Sequence, residues 1–414
     1  MDRITAPLTE ALALQAFGTS DSSTPVDFLA VLGVLLFFGL LLPRLLRPLH
    51  LPFATSLILL GSLMGPHGMG WVEPESGLVL FGFLGATFHM LLAGTEAKVI
   101  GIRPRDTATW RVLAPNVLVP GLTGVLIGRI FGYGWIPSLF LGTVFLSSSI
   151  MLVFGVVGAL ELGRTTAGRI LKRVAVVEDL MASLLAFLIF QTLAPHPRFP
   201  LPILGGLLLS SVILLRMFLP EVVAFLFAKF DEPDGADREN RLRVVIAVML
   251  LVVFAYSALD VHPVIAAFLV GFALAEIPAA AALRERLQTI GYAIFIPVFL
   301  FVVGLDTDLR VLVRMDEQEL LALWVLAGGI LSKAFSGLLG ALWAGLEARE
   351  AWFVGLASTL RLAVPLSATY AARDLGIIDV RLFSAIVILS VVTSMLGPLA
   401  LPLVTGRSLG GRDD

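Results

Sequence analysis

The chain has 414 residues, of which 58% are hydrophobic and 14% charged. Soluble domains run at about 45–50% apolar and about 25% charged. A net charge of −2 gives no basic face for nucleic acid, and the lack of cysteine excludes disulfides, thiolate metal sites and thiol catalysis. His50, His67, His89, His196 and His262 include no i, i+4 pair such as a helical metal site uses.

Thirteen apolar segments follow one another, at 27–47, 52–70, 76–97, 110–131, 135–160, 170–193, 200–228, 243–259, 261–278, 287–306, 318–346, 351–372 and 382–405. Each approaches the roughly 20 residues of a membrane span. Their continuous hydrophobicity predicts helices, because barrel strands alternate with a period of two. The expected fold is therefore an all-α polytopic membrane protein.

Residues 1–26 read as an extracytoplasmic lead. Only Arg3 is basic there and the apolar stretch Ala11–Phe17 is short, so a signal peptide is not expected. In the third segment, His89 reads as a satisfied core histidine. Glu96 at its end caps or pairs with basic residues of the following loop. The fifth segment is interrupted by Ser147-Ser148-Ser149. Such serines either bond back to the helix backbone or mark an unwound stretch.

The sixth segment carries the strongest single feature, Glu178-Asp179, two adjacent carboxylates about ten residues into an apolar run. Ionised and unpaired, they would be prohibitively costly in hydrocarbon. Helical neighbours point about 100° apart, so the two need separate solutions: one a basic partner, the other a hydrated cavity. Such a pair titrates as one coupled unit, which suits exchange of a proton against a metal cation. The bland alternative is a helix end at the interface, given Arg169, Lys172 and Arg173 one or two turns earlier.

Arg216 in the seventh segment reads as a snorkelling or packing residue, and Glu276 as a partner of the basic loop Arg284–Arg286. Lys333 lies midway along the eleventh segment. It either snorkels some twelve residues to an interface or meets an internal carboxylate, for which Glu178 is the obvious choice. In the twelfth segment Ser358-Thr359-Leu360-Arg361 precedes Pro365. Arg361 there either balances exposed helix carbonyls or pairs with a carboxylate. Residues 406–414 form a short cytoplasmic tail.

Alternate loops divide the Lys and Arg residues nineteen to seven, which predicts an external N-terminus and a cytoplasmic C-terminus. Thirteen spans divide as six, one and six, so residues 27–193 and 243–405 read as inverted repeats joined by a linker helix at 200–228. In that scheme the polar interruptions at Ser147 and Ser358 occupy corresponding positions, near the mid-membrane site of such transporters.

Several stretches together resemble the monovalent cation:proton antiporter-2 family. They are Gly61–Gly70, Leu92-Ala93-Gly94-Thr95-Glu96, Ser147-Ser148-Ser149 followed by Glu161-Leu162-Gly163-Arg164, His262-Pro263 with Ala267–Gly271, and Pro297–Leu305. The resemblance covers nearly the whole chain in order. It implies a homodimer with a scaffold and a mobile core, in which two broken helices cross beside an acidic site. Asp179 would carry the metal cation and the proton, Glu178 would be the second acidic residue, and Lys333 its salt-bridge partner. Ser147, Ser148, Ser149, Ser358, Thr359 and Arg361 would line the breaks.

The implied activity is alternating-access exchange of Na⁺, K⁺ or Li⁺ for H⁺ in the cell membrane, with no cofactor and no enzymatic step. The electrogenic branch usually has Asp-Asp and the potassium-efflux branch Gln-Asp. Glu178 with Lys333 sits nearer the first. The alternatives are a channel-like potassium pathway lacking its regulatory domain and a sodium-coupled organic-anion symporter.

Overall fold

In hydrocarbon the backbone finds no water, so an apolar run satisfies its own N–H and C=O groups as a helix. The computed structural model obeys that constraint. It describes residues 25–45, 52–74, 76–96, 106–191, 201–230, 237–257, 261–275, 280–312 and 317–406, and no strand occurs among them. The helices are α1 (Pro25–Leu45), α2 (Phe53–Met64), α3 (Ser76–Glu96), α4 (Thr107–Ile130), α5 (Trp135–Leu146), α6 (Ile150–Ala159), α7 (Thr166–Gln191), α8 (Leu201–Phe230), α9 (Asp237–Ser257), α10 (Pro263–Leu274), α11 (Ala280–Ile290), α12 (Ile296–Leu305), α13 (Glu317–Trp343), α14 (Ala348–Ser358), α15 (Ala363–Asp374) and α16 (Val380–Thr405).

Every predicted segment holds one helix, or two in line at segments five, ten and twelve. Nine helical stretches among the described residues are long and apolar enough to cross a membrane, and Phe28–Leu42, Phe53–Met64 and Pro263–Leu274 are shorter apolar helices. The lead up to residue 24, Glu276, the loop 97–105 and the tail beyond Gly406 lie outside the described residues.

The sequence places some ends too far out. Segment two stops at Met64 rather than residue 70, because Gly65-Pro66 folds into a turn whose Gly68 and Gly70 amides both donate to Gly65 O. Segment nine opens at Pro263, where the missing N–H costs nothing and His262 Nδ1 accepts from Val264 N at 3.3 Å. Segment ten bulges into a π turn over Gly291–Phe295, just ahead of Pro297.

The helices sort into two packed groups. In one, α4 lies along α13, α5 on α4 and α7, and α14 on α13 and α16. In the other, α2 packs on α12 and α3 on both α10 and α12, with α8 and α9 against α10. Glycines set the second group's spacing. A Cβ on Gly61 would stand 2.1 Å from Phe301 O, and one on Gly271 would stand 2.0 Å from Leu91 O. Backbone therefore rests on backbone, as small residues allow in membrane interiors. Contacts between the groups include Thr55 Oγ1 with Ser394 Oγ at 2.9 Å, Ser367 Oγ with His89 Nδ1 at 3.4 Å, and Phe299 edge-on to Tyr370.

Candidate functional site

The serine run is where segment five stops being helical. Ser147 (φ −73°, ψ 148°) and Ser149 (φ −82°, ψ 115°) are extended, so α5 ends with open carbonyls and α6 begins with open amides. Segment twelve breaks between Ser358 and Ala363, with Leu362 at φ −157°, ψ −72°. The two breaks touch. Ser149 N donates to Leu360 O at 2.7 Å, and Ser148 Oγ lies 2.9 Å from Ser358 O. The Thr359 hydroxyl bonds back to Leu356 O, and that of Ser358 to Val354 O.

Two buried cations cover the negative end of α5. Arg361 donates to Phe145 O at 2.5 Å, to Ser147 O at 3.2 Å and to Gly329 O at 3.1 Å. Of its two predicted duties, balancing helix carbonyls is the one seen. Lys333 Nζ reaches Leu146 O at 2.5 Å, Asn116 O at 2.9 Å and Glu178 Oε1 at 2.9 Å, which uses all three of its donors. Lys333 is fully buried, so it does not snorkel.

Glu178 and Asp179 are both fully buried on α7, and the helical splay sends them to different partners. Glu178 accepts from Lys333 and Asn116 Nδ2 (2.8 Å) at Oε1, and from Ser148 Oγ (2.5 Å) at Oε2. Asp179 accepts from Ser147 Oγ at 2.9 Å on Oδ1 and from Ile150 N at 3.1 Å on Oδ2. That amide opens α6, so the positive end of a half-helix faces the Asp179 carboxylate. Two donors leave about half of its four acceptor sites free.

Asn116 is the partner the sequence reading missed. It is buried on α4, gives its amide to Glu178, gives its carbonyl to Lys333, and takes Ser336 Oγ on its side-chain oxygen at 2.8 Å. One amide in the apolar run 110–131, between Pro115 and Pro120, was the available signal.

The remaining residues take lesser places. His89 is buried beside Ser367 and Phe299. Arg216 lies over the Phe272 ring at 5.2 Å. Glu96 accepts from Gln288 at 3.2 Å, while Arg284 donates to the neighbouring Thr95 O, so the partners come from α11. Among the described residues no three His, Asp or Glu side chains gather as a multidentate metal site.

The model of the transmembrane sodium/hydrogen exchanger family matches residues 15–405. A protein from Methanocaldococcus jannaschii named "Probable Na(+)/H(+) antiporter 3" is 26% identical over 373 residues, covering 89% of this chain and 94% of that one. The Na(+)/H(+) antiporter of Enterococcus hirae is 25% identical over 386 residues, covering 92% and 99%. The solved structure of the sodium proton antiporter MjNhaP1 from M. jannaschii shares the fold. It has a TM-score of 0.67 at 17% identity, covering 92% of this chain and 99% of that one.

Proposed function

The chain belongs to the sodium/hydrogen exchanger family, and from that premise we propose that it is a secondary antiporter exchanging Na⁺, with K⁺ or Li⁺ as possible substitutes, for H⁺. Relatives named as antiporters favour exchange over channel-like efflux or organic-anion symport. The observation that carries the mechanism is the pair of adjacent buried carboxylates with unlike partners. Asp179 holds either a proton or a cation in turn. The α6 amide and Ser147 orient its carboxylate, and the closed surroundings make occupancy by one or the other necessary, since a bare charge is costly there.

Glu178 and Lys333 form the coupled second pair, and a change in its protonation during the cycle makes exchange electrogenic. Arg361 keeps the broken α5 intact by covering its carbonyls.

The transport cycle moves one helical group, carrying α5 to α7 and α13 to α16, against the other, in alternating access. Support for inverted repeats comes from the packing. If α1 to α7 are paired in order with α9 to α16, with α11 and α12 counted together as one span, then α2 on α12 exchanges with α10 on α3, and α4 on α13 maps onto itself. The functional unit is a homodimer in the cell membrane, N-terminus outside and C-terminus in the cytoplasm. In the cysteine-free chain, Arg164→Cys should label from the cytoplasmic side and Asp374→Cys from outside. Labelling from one side would refute the orientation.

The deciding experiment uses the full chain in proteoliposomes with an imposed pH gradient and a fluorescent proton indicator. Na⁺ should dissipate the gradient, with Li⁺ and K⁺ tested alongside. If none of the three does so, the antiport reading fails.

A further inference from the structure

Serine in a membrane helix ordinarily donates back to the carbonyl four residues earlier. Ser62, Ser358 and Ser390 do so here, onto Ile58, Val354 and Ile386. Ser183 does not, and the carbonyl it forgoes is that of Asp179. Its side chain is 1% exposed and its hydroxyl has no hydrogen-bond partner among the described residues. An unbonded buried hydroxyl is costly, so its persistence calls for a ligand. Ser183 lies four residues beyond Asp179 on α7, hence on the same helix face, one turn away.

A second hydroxyl is in the same condition. Ser149 is fully buried and its Oγ is also without a partner. The run Ser147–Ser149 is extended, and successive side chains of an extended backbone point to opposite sides. Ser147 turns to Asp179 and Ser148 to Glu178. Ser149 therefore falls on the Asp179 side. Asp179 keeps lone pairs free, whereas Glu178 is engaged at both oxygens by three donors.

We propose that Ser183 is a specificity-determining ligand, whose hydroxyl joins that of Ser149 in completing the oxygen shell of a partly dehydrated alkali cation held by Asp179. All the donors would be oxygen, which suits hard cations. A small ion sits closer to each oxygen ligand than a large one, so the loss of one ligand costs it more. Ser183 therefore favours Li⁺ and Na⁺ over K⁺. The proposal rests on the antiport reading of the Asp179 site.

The test uses full-length wild type, Ser183→Ala, Ser183→Thr and Ser149→Ala. Two measurements are made: the Na⁺ concentration giving half-maximal thermal stabilisation in detergent, and the KM for Li⁺, Na⁺ and K⁺ in proteoliposomes. Ser183→Ala should melt at or above the wild-type temperature without cation, since it removes an orphan hydroxyl. It should need roughly tenfold more Na⁺ in both measurements, the scale of one lost contact to a charged group. Its KM for K⁺ should change less than its KM for Na⁺. Ser183→Thr should behave as wild type, and Ser149→Ala should shift in the same direction as Ser183→Ala. An unchanged Na⁺ requirement in Ser183→Ala overturns the proposal, as does an equal loss in Ser183→Ala and Ser183→Thr, which would assign the effect to packing. Wild type that neither exchanges nor is stabilised by any of the three cations would instead overturn the antiport reading itself.

Discussion

Glu178 and Asp179 are joined by one peptide bond, yet their surroundings differ in kind. Around Glu178 the polar groups close on one another: Lys333, Asn116, Ser148 and Ser336 each have a bonded partner. Around Asp179 the count is left open, with two donors on the carboxylate and lone pairs to spare. A satisfied polar network is rigid and specifies one arrangement, whereas an under-satisfied one is ready to take a guest. The helical splay of about 100° lets one dipeptide serve both ends.

The sharpest way to break that contrast is Asp179→Asn. It should reduce exchange to the level of protein-free vesicles while the melting temperature stays near wild type, because the amide keeps the size, can accept from Ile150 N and can donate to Ser147 Oγ. Substantial Na⁺–H⁺ exchange by this variant would remove Asp179 from the mechanism.

The closed side should respond in stability. Lys333→Gln alone should cost about 3–5 kcal/mol, the usual penalty for stranding one charge of a buried pair. Glu178→Gln combined with Lys333→Gln should recover much of that loss. Melting temperatures of both single variants and the double variant measure the coupling, and the voltage dependence of transport shows whether charge moved per cycle changes with it. Additive losses with unchanged charge movement would mean that the pair neither couples nor sets electrogenicity.

Asn116→Ala is a smaller probe of the same network. It deprives Glu178 of one donor, while Ser336 keeps the Lys333 carbonyl as an acceptor, and should cost about 1–3 kcal/mol by denaturant unfolding. The KM for Na⁺ should change little, since Asn116 does not touch Asp179. A large KM change would show that the two surroundings are one.

The smallest effect expected is at the N-terminal ends of α4 and α7. Asp106 caps α4 through Thr109 N and Thr109 Oγ1, and pairs with Arg173 of α7. Burial pushes its carboxyl up, but Thr109 and Arg173 together hold it below the usual carboxylate range. A folded-state pKa below the unfolded value stabilises at neutral pH and loses that contribution as pH falls through the folded value. Asp106→Ala should therefore cost about 1 kcal/mol near pH 7, the scale of a lost N-cap. The difference from wild type should shrink below about pH 4, where unfolded Asp gains its proton. A difference independent of pH would assign the loss to packing.

Most of the fold was legible because hydrocarbon imposes one rule on the backbone, and thirteen apolar runs obey it. The breaks were legible too, as serines within such runs. Lys333 and Glu178 could be matched because two costly charges each demanded a partner. Asn116 escaped notice because a neutral amide raises no such demand on its own, and its role depends on α4 lying along α13. Ser183 escaped for a related reason: a serine in an apolar helix reads as self-satisfied until the position of its Oγ is known. The early end of α2 escaped because the residues after Gly65-Pro66 are apolar enough to continue a span.

The glycine contacts between α2 and α12, and between α3 and α10, bear on the mechanics of the molecule. Backbone pressed on backbone has no side-chain rotamers to absorb shear, so these pairs act as welds, and the bundle that contains them is stiff. The seam between the bundles includes hydroxyls and aromatic rings, which can trade partners at small cost. A load placed on this protein, whether from membrane tension or from an arriving ion, will therefore be released as slip along that seam rather than as bending within the welded bundle. Alanine at Gly61 or Gly271 would act as a wedge in the weld and soften that bundle.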